Sequence, residues 1–542
     1  MRGMSHLDEG TRALADGRWL DARAAFEAAL VRDPCPEALD GLGEVLWWLG
    51  EPRRSNELRQ QAYARFRRTG DATRALHAAL GIAVTYEANF GNNPAATGWV
   101  ARAGRLLSGA DDPLVPYVSA IRAYVTVEPA DAVKLYAEVL DAARAVNDID
   151  LELTALSGLG EKLVMSGDVR AGLTLIDEAM AGALGGECSR LDTVVFTSCD
   201  MLVACDLAHD LERATRWCQV ADRFIDEYGC PFLHARCRTI YGGLLVATGH
   251  WPEGERALLA AIELSEGAGV HVAADAFARM ADLRLRQGRI EEASSLLRGY
   301  ENQARAHLAA AALRLARGDA AGAVTLLQRK LAGSAEGHVG SAPVLALLVR
   351  ASLARADVDA AREAASRLAW LASVHSSRFS DALAAAAEAD VLAAAGEPDR
   401  SGERLEAALR LFTTLDMPHE AARARLDLAG LLAPRQPDAA LAEAEAALTA
   451  FDRIGAAIDA DEAAALLRSL GVSPRTGRRG AGNLTARGER QVLQLIGLGL
   501  SNPEIAARLH ISRKTAAHHV SRVLTKLGVR NRTEAAAHVS RG

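Results

Sequence analysis

Two helices with opposed apolar and polar faces are predicted close to the C-terminus. Apolar residues recur at helical spacing over 492–496, and Gly499 follows where a C-terminal cap would end a helix. Ser501 and Glu504 form the pattern of a capping box, which predicts a scaffold helix over 502–509. The residues predicted to face inward are Val492, Leu493, Leu495, Ile496, Ile505, Ala506 and Leu509.

A third helix is predicted over 513–527, after a short turn and a cap at Ser512. Its predicted buried face consists of Ala516, either His519 or Val520, Val523, Leu524 and Leu527. The opposite face carries Lys514, Ala517, His518, Ser521 and Thr525, with Arg513 and Arg522 at its edges. Asn531 and Glu534 indicate the cap of a fourth helix. Two helices across a short turn, the second beginning with cations, are typical of proteins that place a helix in the DNA major groove.

This segment resembles the C-terminal DNA-binding domain of LuxR/FixJ-type regulators. The resemblance is carried by Leu484, Thr485, Arg487, Gly499, Ser501, Asn502, Glu504, Ile505, Ala506, Ile511, Ser512, Thr515, His519, Lys526, Leu527, Gly528, Arg532, Thr533, Glu534 and Ala535. It implies that three residues contact base edges, namely Ala517, His518 and Ser521. The resemblance further implies phosphate contacts from Arg513, Lys514, Thr515 and Lys526, with Arg522 beside them in the DNA-binding set. The alternative for His518 and Ser521 is that both are solvated helix residues. The resemblance also implies double-stranded DNA as a partner and a homodimer formed through the last helix.

Charge divides the chain into two parts. Residues 484–542 carry ten Lys and Arg against three Asp and Glu, a net charge of +7, and 474–483 adds three arginines. The whole chain carries −7, so residues 1–473 hold −17. An acidic body with a basic tail is typical of a DNA reader joined to a part that avoids DNA. We expect 474–483, with its glycines and arginines, to be a flexible basic linker.

The acidic body contains a repeated pattern of small residues. Glycines at 17, 50, 167, 249, 288, 318 and 396 are each followed five residues later by Ala22, Ser55, Gly172, Gly254, Ala293, Ala323 and Ser401. His209 begins an eighth copy without the glycine. The pattern resembles degenerate tetratricopeptide repeats, which are antiparallel helix pairs that stack into a superhelix. An unspecific all-helical array is the alternative. The stretch 332–341, rich in Gly and Ser, is expected to break the array.

The predicted fold is therefore all-α, with a tetratricopeptide-like superhelix over 1–473, a linker over 474–483 and a four-helix domain over 484–542. Large LuxR-type regulators of the MalT-like kind place an ATPase module before their repeats. A P-loop requires Gly-Lys, and none of the five lysines of this chain follows a glycine. We expect neither the ATPase module nor a receiver domain, and the chain resembles the repeat and DNA-binding parts of such a regulator.

Other chemistry finds little support in the sequence. Motifs of zinc hydrolases and serine hydrolases are absent, so we expect no enzyme activity, no cofactor and no metal site. The acidic residues of the body are interpreted as solvated helix faces. Six cysteines fall within 188–237 without a Cys-x-x-Cys pair, which favours helix packing over a thiol or metal sensor. An odd cysteine count and the lack of a signal peptide or long apolar span indicate a cytoplasmic protein.

Together these features predict a bacterial transcription regulator. Its C-terminal domain would bind promoter DNA in the major groove, and its repeats would bind a partner protein, peptide or small ligand that controls DNA binding or dimerisation. The alternative is an interaction scaffold whose basic tail binds DNA weakly or nonspecifically.

Overall fold

The computed structural model describes most of the chain, and every regular element that it describes is helical. The described residues are 5–265, 267–335, 337–472, 492–493, 495–498, 500–509 (backbone only at 507 and 509), 517, 520–521, 523–524, 529 and 534–535. Contacts between Cα atoms divide the chain into two units, Met1–Leu470 and Gly471–Gly542. We call the first the repeat domain and the second the C-terminal unit.

Over its described residues, the repeat domain is a succession of 25 α-helices. They are α1 (His6–Ala15), α2 (Trp19–Arg32), α3 (Pro36–Trp48), α4 (Pro52–Thr69), α5 (Ala72–Ala88), α6 (Asn93–Gly104), α7 (Val115–Val125), α8 (Pro129–Val146), α9 (Ile149–Met165), α10 (Val169–Gly185), α11 (Leu191–Ala208), α12 (Leu211–Tyr228), α13 (Pro231–Ala247), α14 (Trp251–Leu264), α15 (Val270–Arg286), α16 (Ile290–Leu297), α17 (His307–Ala316), α18 (Ala320–Ala332), α19 (Ala342–Ala354), α20 (Val358–Val374), α21 (Arg378–Ala394), α22 (Pro398–Thr414), α23 (Pro418–Leu432), α24 (Pro437–Ile454) and α25 (Ala457–Ser469). The expected break at 332–341 is a long connection between α18 and α19 that ends in a 3-10 turn, Val339–Ser341.

The repeated glycines close the turn within each helix pair. All seven adopt a left-handed backbone, with φ between 71° and 92°, and His209 holds the same place with φ of 55°. The residue after each turn donates its N–H back to the last turn of the preceding helix, as Arg18 does to the Ala13 carbonyl (2.9 Å) and Asp210 to that of Cys205 (3.0 Å). This is the hydrogen bond of a Schellman motif, which satisfies the free carbonyls of a helix end.

The small residues that follow the glycines lie where two helices of a pair touch. All of them are buried, and Ala22, Ala293 and Ala323 have no exposed surface. A Cβ atom on Gly254 would lie 3.0 Å from the carbonyl oxygen of Gly242 on the partner helix. The helices of each pair therefore approach backbone to backbone, which larger side chains at this position would prevent.

Contacts also join segments far apart in the chain, so that successive turns of the superhelix touch. Trp19 Nε1 donates to the Tyr228 carbonyl (2.5 Å), and Asn89 Nδ2 donates to that of Ala268 (2.7 Å). Further along, the N–H of Ser376 donates to the Gly167 carbonyl (3.1 Å). The inner face of the superhelix is closed off from solvent in places as a result. Within the part of the chain that is described, no helix is long and apolar enough to cross a membrane.

Candidate DNA-binding interface and repeat-domain cavity

The predicted scaffold helix is present in the C-terminal unit as α26 (Asn502–Leu509). Its start is held by Glu504, whose Oε2 accepts from the Ser501 N–H (2.7 Å) and from the Ser501 hydroxyl (2.6 Å). The predicted pairing of Ser501 with Glu504 is thus confirmed, and Ile505 N–H donates to the Ser501 carbonyl (2.9 Å). The side chain of Leu509 lies outside the described residues.

A small apolar core fixes the helices of this unit against one another. Its buried members are Val492, Leu495, Ile496, Ile505, Ala506, Val520, Val523 and Ala535, with Leu493 and Leu524 partly buried. Val520, one of the two alternatives left open by the sequence, is buried, whereas His519 lies outside the described residues. The predicted core positions Ala516 and Leu527 also lie outside them.

Two of the predicted DNA-reading residues are described, and both lie on the expected face. Ala517 and Ser521 are helical, exposed and one turn apart, while Val520 and Val523 beside them are buried. An exposed methyl group such as that of Ala517 can contact a thymine methyl but cannot form a hydrogen bond with a base edge. The other predicted contact residues lie outside the described residues; they are Arg513, Lys514, Thr515, His518, Arg522 and Lys526.

The repeat domain contains a cavity of about 210 Å³ that the sequence did not reveal. It lies between α4 and the first helices of five successive pairs, α3, α5, α7, α9 and α11. One wall is apolar and includes Trp47, Leu80, Val84, Ile121 and Phe196.

Carboxylates and a single arginine form a polar wall of the cavity, beside the apolar residues. Asp40 and Glu44 are one turn apart on α3, and Arg59 lies 3.1 Å from the Glu44 carboxylate and 3.8 Å from Oδ1 of Asp40. Burial raises the pKa of both carboxyl groups, and Arg59 only partly opposes this effect. Oδ1 of Asp40 and Nε of Arg59 are buried without a hydrogen-bond partner.

Arg59 reaches this wall from the outer helix α4 by passing between two glycines. A Cβ atom on Gly43 would lie 2.7 Å from Cγ of Arg59, and one on Gly81 would collide with its guanidinium group. Both positions must therefore lack a side chain for Arg59 to enter. A signal for this site existed in the sequence, since Asp40 and Glu44 lie one turn apart among apolar residues of a helix that ends in two tryptophans.

A second charged group at the cavity already has its hydrogen bonds formed. Arg190 forms two hydrogen bonds with the Asp192 carboxylate (2.6 and 3.0 Å). Asp150 accepts from Ser189, from the Arg190 N–H and from the Thr193 hydroxyl, and these hydrogen bonds lower its pKa despite burial. The carboxylate oxygen that lacks a donor therefore lies at Asp40, whereas those of Asp150 and Asp192 accept hydrogen bonds.

The prediction that the acidic residues of the repeat domain lie on solvated helix faces is wrong for three of them, which are buried. Glu161, Asp200 and Asp275 are only 6 to 8% exposed. Each has a close partner, namely Lys162 at 2.9 Å, the Ser157 hydroxyl at 2.7 Å and Arg279 at 3.0 Å. The turns of the superhelix close over the inner helix faces, and sequence periodicity cannot reveal that closure.

The cysteines of 188–237 pack among the helices. Cys205, Cys218, Cys230 and Cys237 are buried, and burial raises the pKa of Cys230 to about 12. Such thiols are poor nucleophiles and poor metal ligands. In the described parts of the chain, no group of three or more His, Cys, Asp or Glu residues could hold a metal ion.

The C-terminal segment is similar to known proteins. Residues 482–539 match the family described as bacterial regulatory proteins, luxR family. A Mycobacterium bovis protein named as an HTH-type transcriptional regulator is 40% identical over 87 residues, which are 16% of this chain and 10% of that protein. The transcriptional regulatory protein LnrK of Bacillus subtilis is 48% identical over 56 residues, 10% of this chain and 25% of that protein. The chain thus spans about a tenth to a quarter of the length of these relatives.

A chain in the crystal structure of the APC/C hetero-tetramer Cut9–Hcn1 is similar to 85% of this chain over 96% of its own length, with 14% identity and a TM-score of 0.46. The helix pairs and left-handed turns described above establish the repeat architecture independently. Residues 482–539 carry a LuxR-type helix-turn-helix domain at the end of this all-helical repeat protein.

Proposed function

We propose that this protein regulates transcription by binding promoter DNA through its C-terminal helix-turn-helix domain. The luxR-family match over 482–539 is the observation that carries the proposal. It is supported by an exposed Ala517–Ser521 face above a buried core. The net charge of +7 over 484–542 favours association with phosphates.

Within this proposal, the helix over 513–527 enters the major groove. Ala517, His518 and Ser521 reach base edges, while the phosphate contacts come from Arg513, Lys514, Thr515, Arg522 and Lys526. The helix after Asn531 pairs two chains, so that the site on DNA is two-fold symmetric. The linker over 474–483 separates the domain from the repeats.

The repeat domain, in this proposal, binds a ligand or partner that controls DNA binding or dimerisation. Its charge of −17 repels DNA, which suits a controlling domain rather than a second DNA-binding surface. The cavity bounded by α3, α4, α5, α7, α9 and α11 offers a place for such a ligand.

Capture of genomic DNA fragments by the purified full-length protein at moderate salt tests the proposal. Wild type is compared with Lys514→Glu and with the matched charge reversal Lys134→Glu, at a surface residue of the repeat domain with a 72% exposed side chain. We expect wild type and Lys134→Glu to enrich a short two-fold symmetric site. Lys514→Glu should bind it about 10- to 100-fold more weakly, because each dimer loses two phosphate contacts. Featureless capture by wild type, or equal capture by all three, would instead support an interaction scaffold with a nonspecific basic tail.

A further inference from the structure

We infer that the cavity bounded by α3, α4, α5, α7, α9 and α11 binds a small organic cation, meaning an amine or guanidinium group carried on an apolar body. The inference deepens the proposed function by naming a class of ligand for the repeat domain. Its regulatory meaning rests on that function, whereas binding itself can be measured without DNA.

The charge of the cavity calls for a cation. Two carboxylates, Asp40 and Glu44, share a single arginine, and that arginine lies closer to Glu44. Oδ1 of Asp40 is buried and accepts no hydrogen bond, although buried carboxylate oxygens nearly always do. Its nearest cationic atom is 3.8 Å away, too far for a hydrogen bond. Nε of Arg59, the atom at that distance, also lacks a hydrogen-bond partner. A ligand ammonium group would balance the negative charge that one arginine leaves on two carboxylates.

An anionic ligand fits the same cavity poorly. Both of its arginines are already paired, Arg59 with Glu44 and Arg190 with Asp192. His77, the remaining basic group of the lining, has its pKa lowered by burial and by Arg190, so it is neutral at physiological pH. Four carboxylates against two arginines leave the cavity negative overall.

The apolar wall accounts for the rest of the ligand. Trp47 is held in place by a hydrogen bond from its Nε1 to Oδ1 of Asn89 (3.1 Å) and by edge-on packing against Trp48. Its indole, with Leu80, Val84 and Phe196, offers an apolar and aromatic surface beside the carboxylates. Aromatic rings beside two carboxylates that share one arginine favour cations that carry hydrocarbon, through burial of apolar area and cation–π attraction.

The size of the cavity favours a small molecule over a folded partner. At about 210 Å³ it is smaller than the roughly 300 Å³ at which pockets for drug-sized ligands begin. Arg59 also enters between Gly43 and Gly81, so the polar wall is assembled from three helices. A site built in this way holds its charged groups in place before a ligand arrives.

Isothermal titration calorimetry of the full-length protein without DNA tests the inference. The probes are tryptamine and agmatine, and tryptophol, which replaces the amine of tryptamine with a hydroxyl group, is the uncharged control. We expect saturable binding of at least one cation with a dissociation constant below about 1 mM, and at least about tenfold weaker binding of tryptophol. Binding of neither cation, or equal binding of tryptamine and tryptophol, would overturn the inference without any variant being needed.

Variants then locate the site. Asp40→Asn should weaken cation binding at least about tenfold, while Glu138→Gln, an exposed residue of α8, should leave it unchanged. A folded Asp40→Asn protein, checked by its circular dichroism melt, that binds like wild type would contradict the assignment. Cation binding together with failed DNA capture would refute the proposed function but not this inference, and the reverse result would refute only the inference.

Discussion

The repeat domain and the C-terminal unit place their charged residues in opposite ways. The repeat domain is acidic and buries charged side chains inside its superhelix, as it does with Asp200, Glu161 and Lys162. The C-terminal unit is basic, and its described core contains only apolar residues. The proposed ligand site in the repeat domain combines residues from several helices, whereas the proposed DNA contacts come from one helix.

The two regions also differ in how they tolerate change. In the repeat domain, residues of the cavity extend from Asp40 to Phe196 and are positioned by many helix pairs. Among its described residues, the C-terminal unit has one core with eight buried members. A single polar substitution in that core should therefore abolish one activity while the other region stays intact.

Val523→Asp should have the largest effect, because it should unfold the C-terminal unit and leave the repeat domain folded. Val523 has no exposed surface, and burying an unpaired carboxylate there should cost about 3–5 kcal/mol. We expect DNA capture to be lost while the melting transition of the repeat domain and its cation binding persist. Leu498→Asp, at a residue that is 72% exposed, is the control and should retain capture. Loss of the repeat-domain transition in Val523→Asp would show that the two regions fold as one.

Gly167→Ala should damage the repeat domain alone. Gly167 has φ of 92°, and a Cβ atom there would collide with the ring of His375 from the next superhelical turn. Left-handed strain and the collision together should cost about 3 kcal/mol. Gly396→Ala, whose φ is 78° and whose Cβ would meet nothing within 4 Å, should cost about 1 kcal/mol. Equal losses of stability in thermal melts would show that contacts between turns contribute little.

Asp200 should make the stability of the repeat domain depend on pH. Burial and the neighbouring Glu161 raise its pKa from 3.8 to about 8. A raised carboxyl pKa stabilises the fold fully below the ordinary value, and this stability is lost as the pH rises through about 8. Melts from pH 6.5 to 9 should show wild type losing on the order of 2 kcal/mol relative to Asp200→Asn, in which the side chain still accepts from Ser157. If the stability of wild type and of Asp200→Asn changed with pH in the same way, the burial of Asp200 would be contradicted. The control Glu138→Gln should show the same dependence of stability on pH as wild type.

The smallest expected effect concerns the cavity. Because burial raises the pKa of Asp40 and Glu44, both carboxyl groups gain protons at a higher pH than exposed ones do. Tryptamine should bind several-fold more weakly at pH 5 than at pH 7, whereas any binding of tryptophol should not change. An unchanged tryptamine affinity over this range, measured by calorimetry, would contradict pairing of the amine with these carboxylates.

Local signals in the sequence were enough to predict the parts of the structure that depend on neighbouring residues. The bounds 502–509, the pairing of Ser501 with Glu504 and the burial of Val523 follow from helix caps and helical spacing. The turn glycines were found in the same way, because the left-handed backbone of each pair imposes the same residue at the same place.

The cavity could not be predicted, because it depends on how far each helix pair rotates against the next. Asp40 and Asp192 line one cavity because the superhelix curves through five helix pairs. Their spacing in the sequence does not indicate this. The interior position of Asp200 depends on that same curvature. Small rotations at each interface between helix pairs add up over many repeats. The total rotation between distant pairs cannot be deduced from a periodic pattern of residues.

Transcript abundance in cells that carry the wild-type chain or Lys514→Glu tests the central claim most directly. The two-fold symmetric sites captured by wild type define which transcripts to compare. If the protein regulates transcription, transcripts that start beside those sites should change in abundance in the Lys514→Glu cells as they do when the chain is deleted. In the Lys134→Glu cells they should stay at the wild-type level. Transcripts that change on deletion but not in Lys514→Glu would contradict regulation through the helix-turn-helix domain.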